Sequence, residues 1–441
     1  MANSYVIPGT LFAALSRGHG GEAAGRWLAA AERTKHLLLL RGVVEAARAA
    51  AHPCADEFTQ AYWTLADIQR QSAGAVEAVV MQPAVAAWAA EAIQQLSSGI
   101  AADLPARRMS GVVAAAAVRA GIPYRSIVAA DDAWVMIPSL GRACLPSARV
   151  SGRAEIEVTR AGVEISAGGD RIRLPQDPCQ DGPGWQAIRR ISAHAGGRTL
   201  RLMVDDIDPY RFAAFPGVGG RLTGGELLAL AARLNEAIGM LVTHHQRVAG
   251  EVFAMVTVLT PLAIAAPSQA QAHATSRDTF GCVAMSLPRD GRSLALALTH
   301  EVQHAKLAAL LDLVALVRPT ATSARYYAPW RDDPRPIAAL LHGTYAFLGV
   351  AGYWQRQRQH ETGELALSAH AEFARWHSAT AGAVRDLATS GSLTGLGRRF
   401  LAGMEATVQL RGRASVPSEA ARLARTAAMM HREQWRRLHE A

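Results

Sequence analysis

A long apolar stretch with polar residues at its centre constrains this chain more than any other part of the sequence. Residues Leu294–Val317 read LALALTHEVQHAKLAALLDLVALV and are apolar on almost every side of a helical wheel. A helix without a wet face is buried. Burying polar side chains is unfavourable unless they are paired, bind an ion or line an internal site. Five such residues lie in the middle of this stretch: His300, Glu301, Gln303, His304 and Lys306.

The spacing of two of these residues indicates a metal ion. His300 and His304 are one helical turn apart within an HExxH motif, so both imidazoles project from one face and can hold one ion. The alternative is a pair of core histidines bonded to backbone carbonyls. Thr279–Pro288 alternates and is rich in β-formers, which predicts a strand just before the helix. Metal-binding helices of this kind lie beside the edge of a sheet, so the context favours the metal.

Composition describes a globular chain. Half of the 441 residues are apolar and 19% are charged, which is enough apolar material for one large domain or two ordinary ones. We see no apolar run of membrane-spanning length and no signal peptide. The four cysteines are scattered without CxxC spacing, which argues against a disulfide framework or zinc knuckle. We therefore expect a cytoplasmic protein with no membrane partner.

The formal net charge of +9 raises the question of nucleic-acid binding. Arginines outnumber nearby acids towards the C-terminus, but no aromatic platform or nucleic-acid motif accompanies them. We expect no nucleic-acid partner. A solvated helical face is the simpler interpretation of the arginines, with docking of an acidic peptide as a possible second use.

Periodicity predicts an α+β fold that is mostly helical. We expect a helical N-terminal region over residues 1–122, a small β-rich region over 123–204, a metal-site core over 205–360 and C-terminal helices over 361–441. The core is predicted to be zincin-like, with the HExxH helix against a small mixed or antiparallel sheet.

Helices are expected at Leu294–Val317 and Arg335–Trp354, and Asp332 or Asp333 can cap the second. Thr223 and Glu226 predict a capping box at the start of a helix over residues 223–242. Lys306 lies off the face of His300 and His304, so we expect it to have a structural partner.

Two histidines do not complete a catalytic metal site, which needs a third protein ligand. We favour His342, because it lies inside the next apolar helix and its imidazole should point into the core. It could instead be an ordinary core histidine bonded to a carbonyl. The other candidates follow the motif along the chain: Asp332, Asp333, Glu361, Glu364, His370, Glu372 and His377.

Several separate blocks of sequence resemble a known family. THEVQHAKLAALLDLV, PWRDDPRP, LLHGTYAFLGVAGYW, TSRDTFGCVAMSLP and DDIDPYR are similar to the HExxH-motif peptide-modification proteins of bacterial peptide natural-product clusters. That family includes peptide β-hydroxylases that depend on iron(II) and 2-oxoglutarate. The resemblance covers roughly Val204–Trp354 and is weak or absent over the first 190 and the last 80 residues.

The resemblance implies iron(II), the cosubstrate 2-oxoglutarate, and hydroxylation of a side-chain β-carbon in a ribosomally made precursor peptide. Glu301 would then orient a ligand, a water or the peptide. The far carboxylate of 2-oxoglutarate needs a cation. Arg331 and Arg335 lie between the two metal-bearing helices, and Tyr345 follows His342 by about one turn, so we assign these three to the cosubstrate.

Two other functions fit the same residues. In a zinc metallopeptidase, Glu301 would be the general base that deprotonates a zinc-bound water. A non-catalytic peptide-binding scaffold would need neither metal chemistry nor a base. Metal identity and turnover of 2-oxoglutarate to succinate distinguish the three.

Overall fold

The structure is a computed structural model that describes residues 6–99, 107–212, 217–263, 272–319 and 324–439. It confirms a mixed α+β fold in which helices predominate. The helices are α1 Gly9–Ser16, α2 Gly21–Ala49, α3 Ala55–Gln71, α4 Ala73–Val80, α5 Pro83–Ser97, α6 Arg107–Ala120, α7 Ala148–Ser151, α8 Gly224–His244, α9 Gln246–Met255, α10 Gly291–Leu311, α11 Ile337–Gln357, α12 Gly363–Thr389, α13 Gly395–Arg411 and α14 Ser418–His439.

The strands are short and fall into several small sheets. They are β1 Tyr124–Ala129, β2 Trp134–Ile137, β3 Gly141–Cys144, β4 Arg153–Thr159, β5 Gly162–Ala167, β6 Asp170–Arg173, β7 Trp185–Ala187, β8 Arg189–Ala195, β9 Arg198–Val204, β10 Val258–Pro261, β11 His273–Ala274, β12 Cys282–Met285, β13 Arg325–Tyr326 and β14 Arg335–Pro336.

Two large hydrophobic cores divide the chain. The N-terminal core contains the second half of α2, helices α3–α6 and strands β1–β7, where β1-β4-β5-β6 and β2-β3-β7 form two antiparallel sheets. The central core contains α1, the first half of α2 and most of the chain from β8 onward. Helix α2 therefore belongs to both cores: Ala24 and Leu28 are buried in the central core, whereas Leu40 and Val43 are buried in the N-terminal core.

A five-stranded mixed sheet lies in the central core. Its order is β11-β12-β10-β9-β8, with β9, β10 and β12 parallel and the two outer strands antiparallel to their neighbours. Strands β8 and β9 precede residue 205, and β9 pairs with β10, which follows it. The sheet thus crosses the boundary expected at residue 204. The pairing of β9 with β10 joins distant parts of the chain, so local sequence patterns do not reveal it.

Helix α10 carries the HExxH motif and begins at a side-chain cap, where Asp290 accepts a hydrogen bond from the Ser293 amide at 2.7 Å. It starts three residues before the predicted Leu294 and ends at Leu311 instead of Val317. The end differs because Val317 is bridged to Leu393 and the Thr394 amide donates to the Leu316 carbonyl. This tertiary pairing holds the last apolar residues in an extended segment.

Helix α11 carries His342 and also shifts from its expected bounds. Arg335 and Pro336 form β14, which pairs with β13, and Pro336 is the N-cap of α11 without a side-chain hydrogen bond. The expected cap by Asp332 or Asp333 is therefore wrong. Asp333 instead accepts hydrogen bonds from Arg331 and Arg335, both at 2.8 Å.

The segment Val204–Arg211 is the turn that its Asp-Pro sequence predicts, and it joins the two cores. Asp205, Asp206 and Asp208 are all buried. The Gln82 amide donates to Asp205 at 3.0 Å, and Arg108 from α6 makes a two-pronged ion pair with Asp208 at 2.8 and 2.9 Å. Protein side chains therefore bind the carboxylates of Asp205 and Asp208.

Two buried polar side chains of α10, Lys306 and Gln303, have hydrogen-bond partners outside the helix. Lys306 is fully buried and its Nζ lies 2.7 Å from Glu251 Oε1 and 3.4 Å from the Gly18 carbonyl. The Gln303 amide donates to the same carbonyl at 3.3 Å. This confirms the expectation that Lys306 has a structural partner.

No single helix among the described residues has the length and apolarity needed to cross a membrane. Helices α4 and α5 reach that length and composition only as a pair, bent by 67°.

Candidate metal centre

Helix α10 presents the HExxH histidines together, as the spacing predicts. The rings of His300 and His304 meet edge to face, with centroids 4.6 Å apart. His304 also faces His342 on α11, and His300 faces His273 on β11 with centroids 4.9 Å apart. We call these four residues and Glu301 the histidine cluster.

Glu301 is the buried centre of this cluster, with only 1% of its surface exposed. Its Oε1 lies 2.6 Å from His273 Nδ1 and 2.8 Å from His300 Nδ1. Burial alone would raise the pKa of this carboxyl, but the hydrogen bonds from His273 and His300 outweigh it and hold the pKa well below its usual range. Glu301 is therefore an anion inside the core.

The ionised carboxylate fixes the protonation of two imidazoles. A carboxylate can only accept hydrogen bonds, so His273 and His300 each carry their proton on Nδ1. In the neutral form of each ring, Nε2 is then the nitrogen without a proton, and it is directed away from Glu301. Ligand histidines in metalloproteins commonly donate their second nitrogen to a carboxylate in this way.

His304 and His342 form the other half of the cluster. Their Nδ1 atoms are 3.3 Å apart and their rings are nearly parallel, at 16°. Burial lowers the pKa of His304 to about 3 and that of His342 to about 4, so both are neutral at pH 7 and available as ligands. Two nitrogens bound at roughly 2.1 Å to one tetrahedral ion are about 3.4 Å apart, which matches their separation.

One further residue belongs to this site that sequence reasoning missed. Within the described ranges, His273, His300 and Glu301 form the one group of three or more possible ligands whose ligand atoms all lie within 4.8 Å of one another. The trio expected from sequence, His300, His304 and His342, does not meet that limit. Its two halves are instead linked through His304, which touches both of the other rings.

An unpartnered atom supports an ion here. Glu301 Oε2 is buried and has no hydrogen-bond partner. An unsatisfied charged oxygen is costly in a protein interior. The donor set of imidazoles and a carboxylate suits iron(II) or zinc(II), both of which bind nitrogen and oxygen ligands.

The arginines expected to bind the cosubstrate lie just before α11, Arg335 in β14 and Arg331 in the loop before it, and they share one partner. Arg331 and Arg335 converge on Asp333, and their side chains are 56% and 34% exposed. A third arginine, Arg277, acts on the cluster directly, since its positive charge helps to lower the pKa of His342. Arg277 is itself paired with Asp312, at the C-terminal end of α10.

Tyr345 does not face the cosubstrate region as expected. Its side chain is buried, and its hydroxyl donates to the Leu15 carbonyl at the end of α1, at 2.7 Å. Burial raises its pKa well above the usual value. Side chains three residues apart on a helix point in directions that differ by about 60°. Tyr345 can therefore face α1 while His342 faces α10. We therefore correct the assignment of Tyr345 to a core position.

An aromatic wall borders the cluster. Phe347 on α11 meets the edge of His300, with centroids 5.2 Å apart. On its other sides Phe347 stacks on Trp330 at 4.7 Å and contacts Trp376 at 4.4 Å. The three aromatic rings are only half-buried because they line an open cleft.

No protein-family model matches the chain. No curated protein matches it either.

Proposed function

We propose that this protein is an iron(II)- and 2-oxoglutarate-dependent hydroxylase that acts on the β-carbon of a residue in a ribosomally made precursor peptide. One observation carries the proposal. Oε1 of the motif carboxylate Glu301 accepts hydrogen bonds from both His273 and His300, so this oxygen orients imidazoles. Orienting ligand histidines is the role expected of Glu301 in an oxygenase. Such an enzyme needs no general base, because it does not activate water.

The chain itself performs three tasks in this proposal. Glu301 sets the Nδ1–H tautomer of His273 and His300, which leaves each Nε2 as a ligand. Burial keeps His304 and His342 neutral, so they need not lose a proton before binding a metal. Phe347 closes the side of His300 with an apolar ring, which keeps water from that face.

The metal would be held by His300 and His304 with a third histidine. His342 is the ligand expected from sequence, and its Nδ1 lies 3.3 Å from that of His304. His273 is the alternative, because it shares Glu301 with His300. Bound iron, with 2-oxoglutarate and oxygen, supplies the oxidising power for hydroxylation.

The residues offer a carboxylate site, although a competitor occupies it. Arg331 and Arg335 both donate to one carboxylate, that of Asp333, which supports their assignment to a carboxylate-binding clamp. A cosubstrate would have to take the place of Asp333. We retain the two arginines as the proposed clamp, with Arg277 as the alternative.

We also propose that the core is zincin-like. Helix α10 follows β12, and the antiparallel edge strand β11 delivers His273 to the side of the helix. A mixed sheet with an antiparallel edge beside the HExxH helix is the arrangement that the proposal requires.

A zinc metallopeptidase is the second candidate, and one observation favours it. Glu301 Oε2 is unpartnered, so this oxygen remains able to take a proton from a metal-bound water. The two functions differ in what they need from Glu301.

Replacing Glu301 by glutamine distinguishes them. A glutamine keeps the shape and one accepting oxygen, but it loses the charge that holds two imidazoles. We expect Glu301→Gln to bind iron(II) about 10–100-fold more weakly and still to convert 2-oxoglutarate to succinate at saturating iron. His304→Ala should neither bind iron stoichiometrically nor form succinate.

The measurements are anaerobic iron titration and succinate formation in the presence of ascorbate and oxygen. Exposed His194, replaced by alanine, serves as the matched control and should behave like the wild type. Background succinate in the iron-loaded wild type, even with a cognate peptide, would contradict the oxygenase. Zinc-dependent peptide cleavage that Glu301→Gln abolishes would establish the peptidase.

A further inference from the structure

A cleft opens beside the histidine cluster and extends well beyond Arg331 and Asp333, the residues of the proposed clamp that line it. Its larger compartment has a volume of about 690 Å³ and its smaller one about 190 Å³. The compartments share Pro329, Arg375, Trp376 and His431, so they form one continuous groove. Binding sites for ligands of appreciable size fall in this range of volume.

The floor of the cleft is aromatic and reaches the metal-binding histidines. Trp330, Phe347 and Trp376 form it, and Phe347 lies between the cleft and His300. The Arg375 guanidinium lies over the Trp376 ring at 4.4 Å. Stacked rings that remain half-open to solvent favour planar or apolar side chains. A side chain on this floor would therefore lie next to the candidate metal centre.

Helix α14 forms one wall of the cleft and brings arginines to it. Arg432 lines the smaller compartment and lies over the Tyr327 ring at 4.5 Å. Arg425 and Arg422 precede it by two and about three helical turns, so they continue the same face of the helix. Both are exposed. The helix holds five arginines and two glutamates, so its outer surface is basic.

Three aspartates line the cleft, and one of them, Asp333, is paired with arginines. Asp333 is paired with Arg331 and Arg335, and Asp332 lies 3.7 Å from His431. Asp386 is the acidic residue of the smaller compartment. From Arg432 at the cleft, the arginines of α14 continue along the helix as a positively charged surface.

We propose that this cleft binds the peptide substrate in an extended form, with an aromatic or apolar side chain on the Trp330–Phe347–Trp376 floor and an acidic segment along Arg432, Arg425 and Arg422. The proposal rests on the proposed function for the identity of the substrate. The binding itself needs neither metal nor cosubstrate. Charge complementarity along α14 would set direction, and the floor would set which residue reaches the metal centre.

The test uses the full-length protein without metal and a labelled synthetic peptide, measured by fluorescence anisotropy. The peptide carries a glutamate-rich segment followed by a pair of phenylalanines. A second peptide has lysines in place of the glutamates, and a third has alanines in place of the phenylalanines. We expect the first to bind saturably, with affinity that falls as salt rises, and the other two to bind at least about tenfold more weakly.

A charge-reversal variant makes the site specific. Arg425→Glu combined with Arg432→Glu should weaken the glutamate peptide by at least about tenfold and improve binding of the lysine peptide. The matched control is Arg153→Glu combined with Arg160→Glu, which reverses two exposed charges on the sheet of the N-terminal core and should leave both affinities unchanged.

The outcomes separate this inference from the proposed function. Equal binding of the glutamate and lysine peptides, or binding unaffected by the α14 variant, would overturn the cleft assignment even if iron and succinate behave as expected. Specific peptide binding in a protein that takes up no iron would preserve the cleft and overturn the hydroxylase.

Discussion

Buried histidines outside the histidine cluster are held neutral by the fold. His36 Nδ1 donates to the Val80 carbonyl at 2.9 Å, and His245 Nε2 bonds the Gln357 side chain at 2.9 Å while its ring stacks on Tyr353 at 4.5 Å. Burial lowers the pKa of each imidazole to about 4. Such residues make stability depend on pH even when no metal is bound.

His245 gives a pH prediction with a definite sign. Its pKa is about 4 in the folded protein against 6.5 for the ordinary group, so the unfolded chain binds more protons between these values. The contribution of neutral His245 to the free energy of unfolding is intact above pH 6.5 and is lost as the pH falls towards 4. The wild type should therefore lose about 3 kcal/mol more of its free energy of unfolding than His245→Phe over this interval.

Chemical denaturation of the metal-free protein at several pH values measures this difference. Phenylalanine preserves the stacking on Tyr353 but does not titrate. The exposed residue His194, replaced by phenylalanine, is the control and should leave the pH dependence of the wild type unchanged. Parallel pH profiles for wild type and His245→Phe would show that burial of His245 has no such effect.

At the scale of elements, helices α11 and α14 differ in how the fold holds them. Fourteen residues of α11 are buried, whereas only Ala420 and Ala424 are buried in α14. The second half of α14 is attached mainly by Trp435, whose ring meets Tyr327 at 5.2 Å, and by His431, which bonds the Tyr327 hydroxyl at 2.8 Å. Sparse burial predicts easy local opening.

Hydrogen exchange should reveal this difference. We expect the amides of α14 to exchange faster than those of α11, and Trp435→Ala to accelerate exchange in α14 by roughly tenfold, as removal of one aromatic pair implies. Exchange in α10 should not change, which makes that helix the internal control. Equal protection of α11 and α14 would mean that contacts other than these aromatic ones hold α14.

At the scale of the whole molecule, a few buried polar contacts join the two cores. Arg108 in the N-terminal core makes its ion pair with Asp208, which is fully buried beside the central sheet. Removal of one member of a buried pair leaves the other charge without compensation. The junction should therefore be sensitive to single substitutions.

Arg108→Met should lower the free energy of unfolding by about 3–5 kcal/mol. It should also weaken the coupling between the two cores and broaden the unfolding transition, because one of the buried polar contacts that join them is lost. Calorimetry with intrinsic fluorescence measures both effects. Arg125→Met, which breaks the exposed pair with Glu155, is the control and should unfold like the wild type. A single unshifted transition in Arg108→Met would contradict the coupling.

The sequence was informative where local pattern decides structure. The helix around His300 and the capping box of Thr223 and Glu226 follow from periodicity and from short-range hydrogen bonds, and both are present. The α+β character follows in the same way. These features require only residues within a few turns of one another.

The rest depends on contacts that no local pattern contains. His273 was missed because its strand has two residues and exists only by pairing with β12. Tyr345 was misassigned because the direction of its side chain is set by α1, which precedes it by more than 300 residues. Arg331 and Arg335 were expected to bind a ligand, but Asp333, which was expected to cap a helix, lies between them.

The contact between Lys306 and the Gly18 carbonyl joins residues 288 positions apart in the chain. During synthesis, the N-terminal core is complete once residue 187 has emerged, whereas helix α10 must wait for its own translation before it can meet Gly18. Distant contacts form late because a long loop must close first. We therefore expect α2 to be ordered first, as part of the N-terminal core. Its first half, still exposed at that stage, would then be the surface on which the later part of the chain, including α10, assembles.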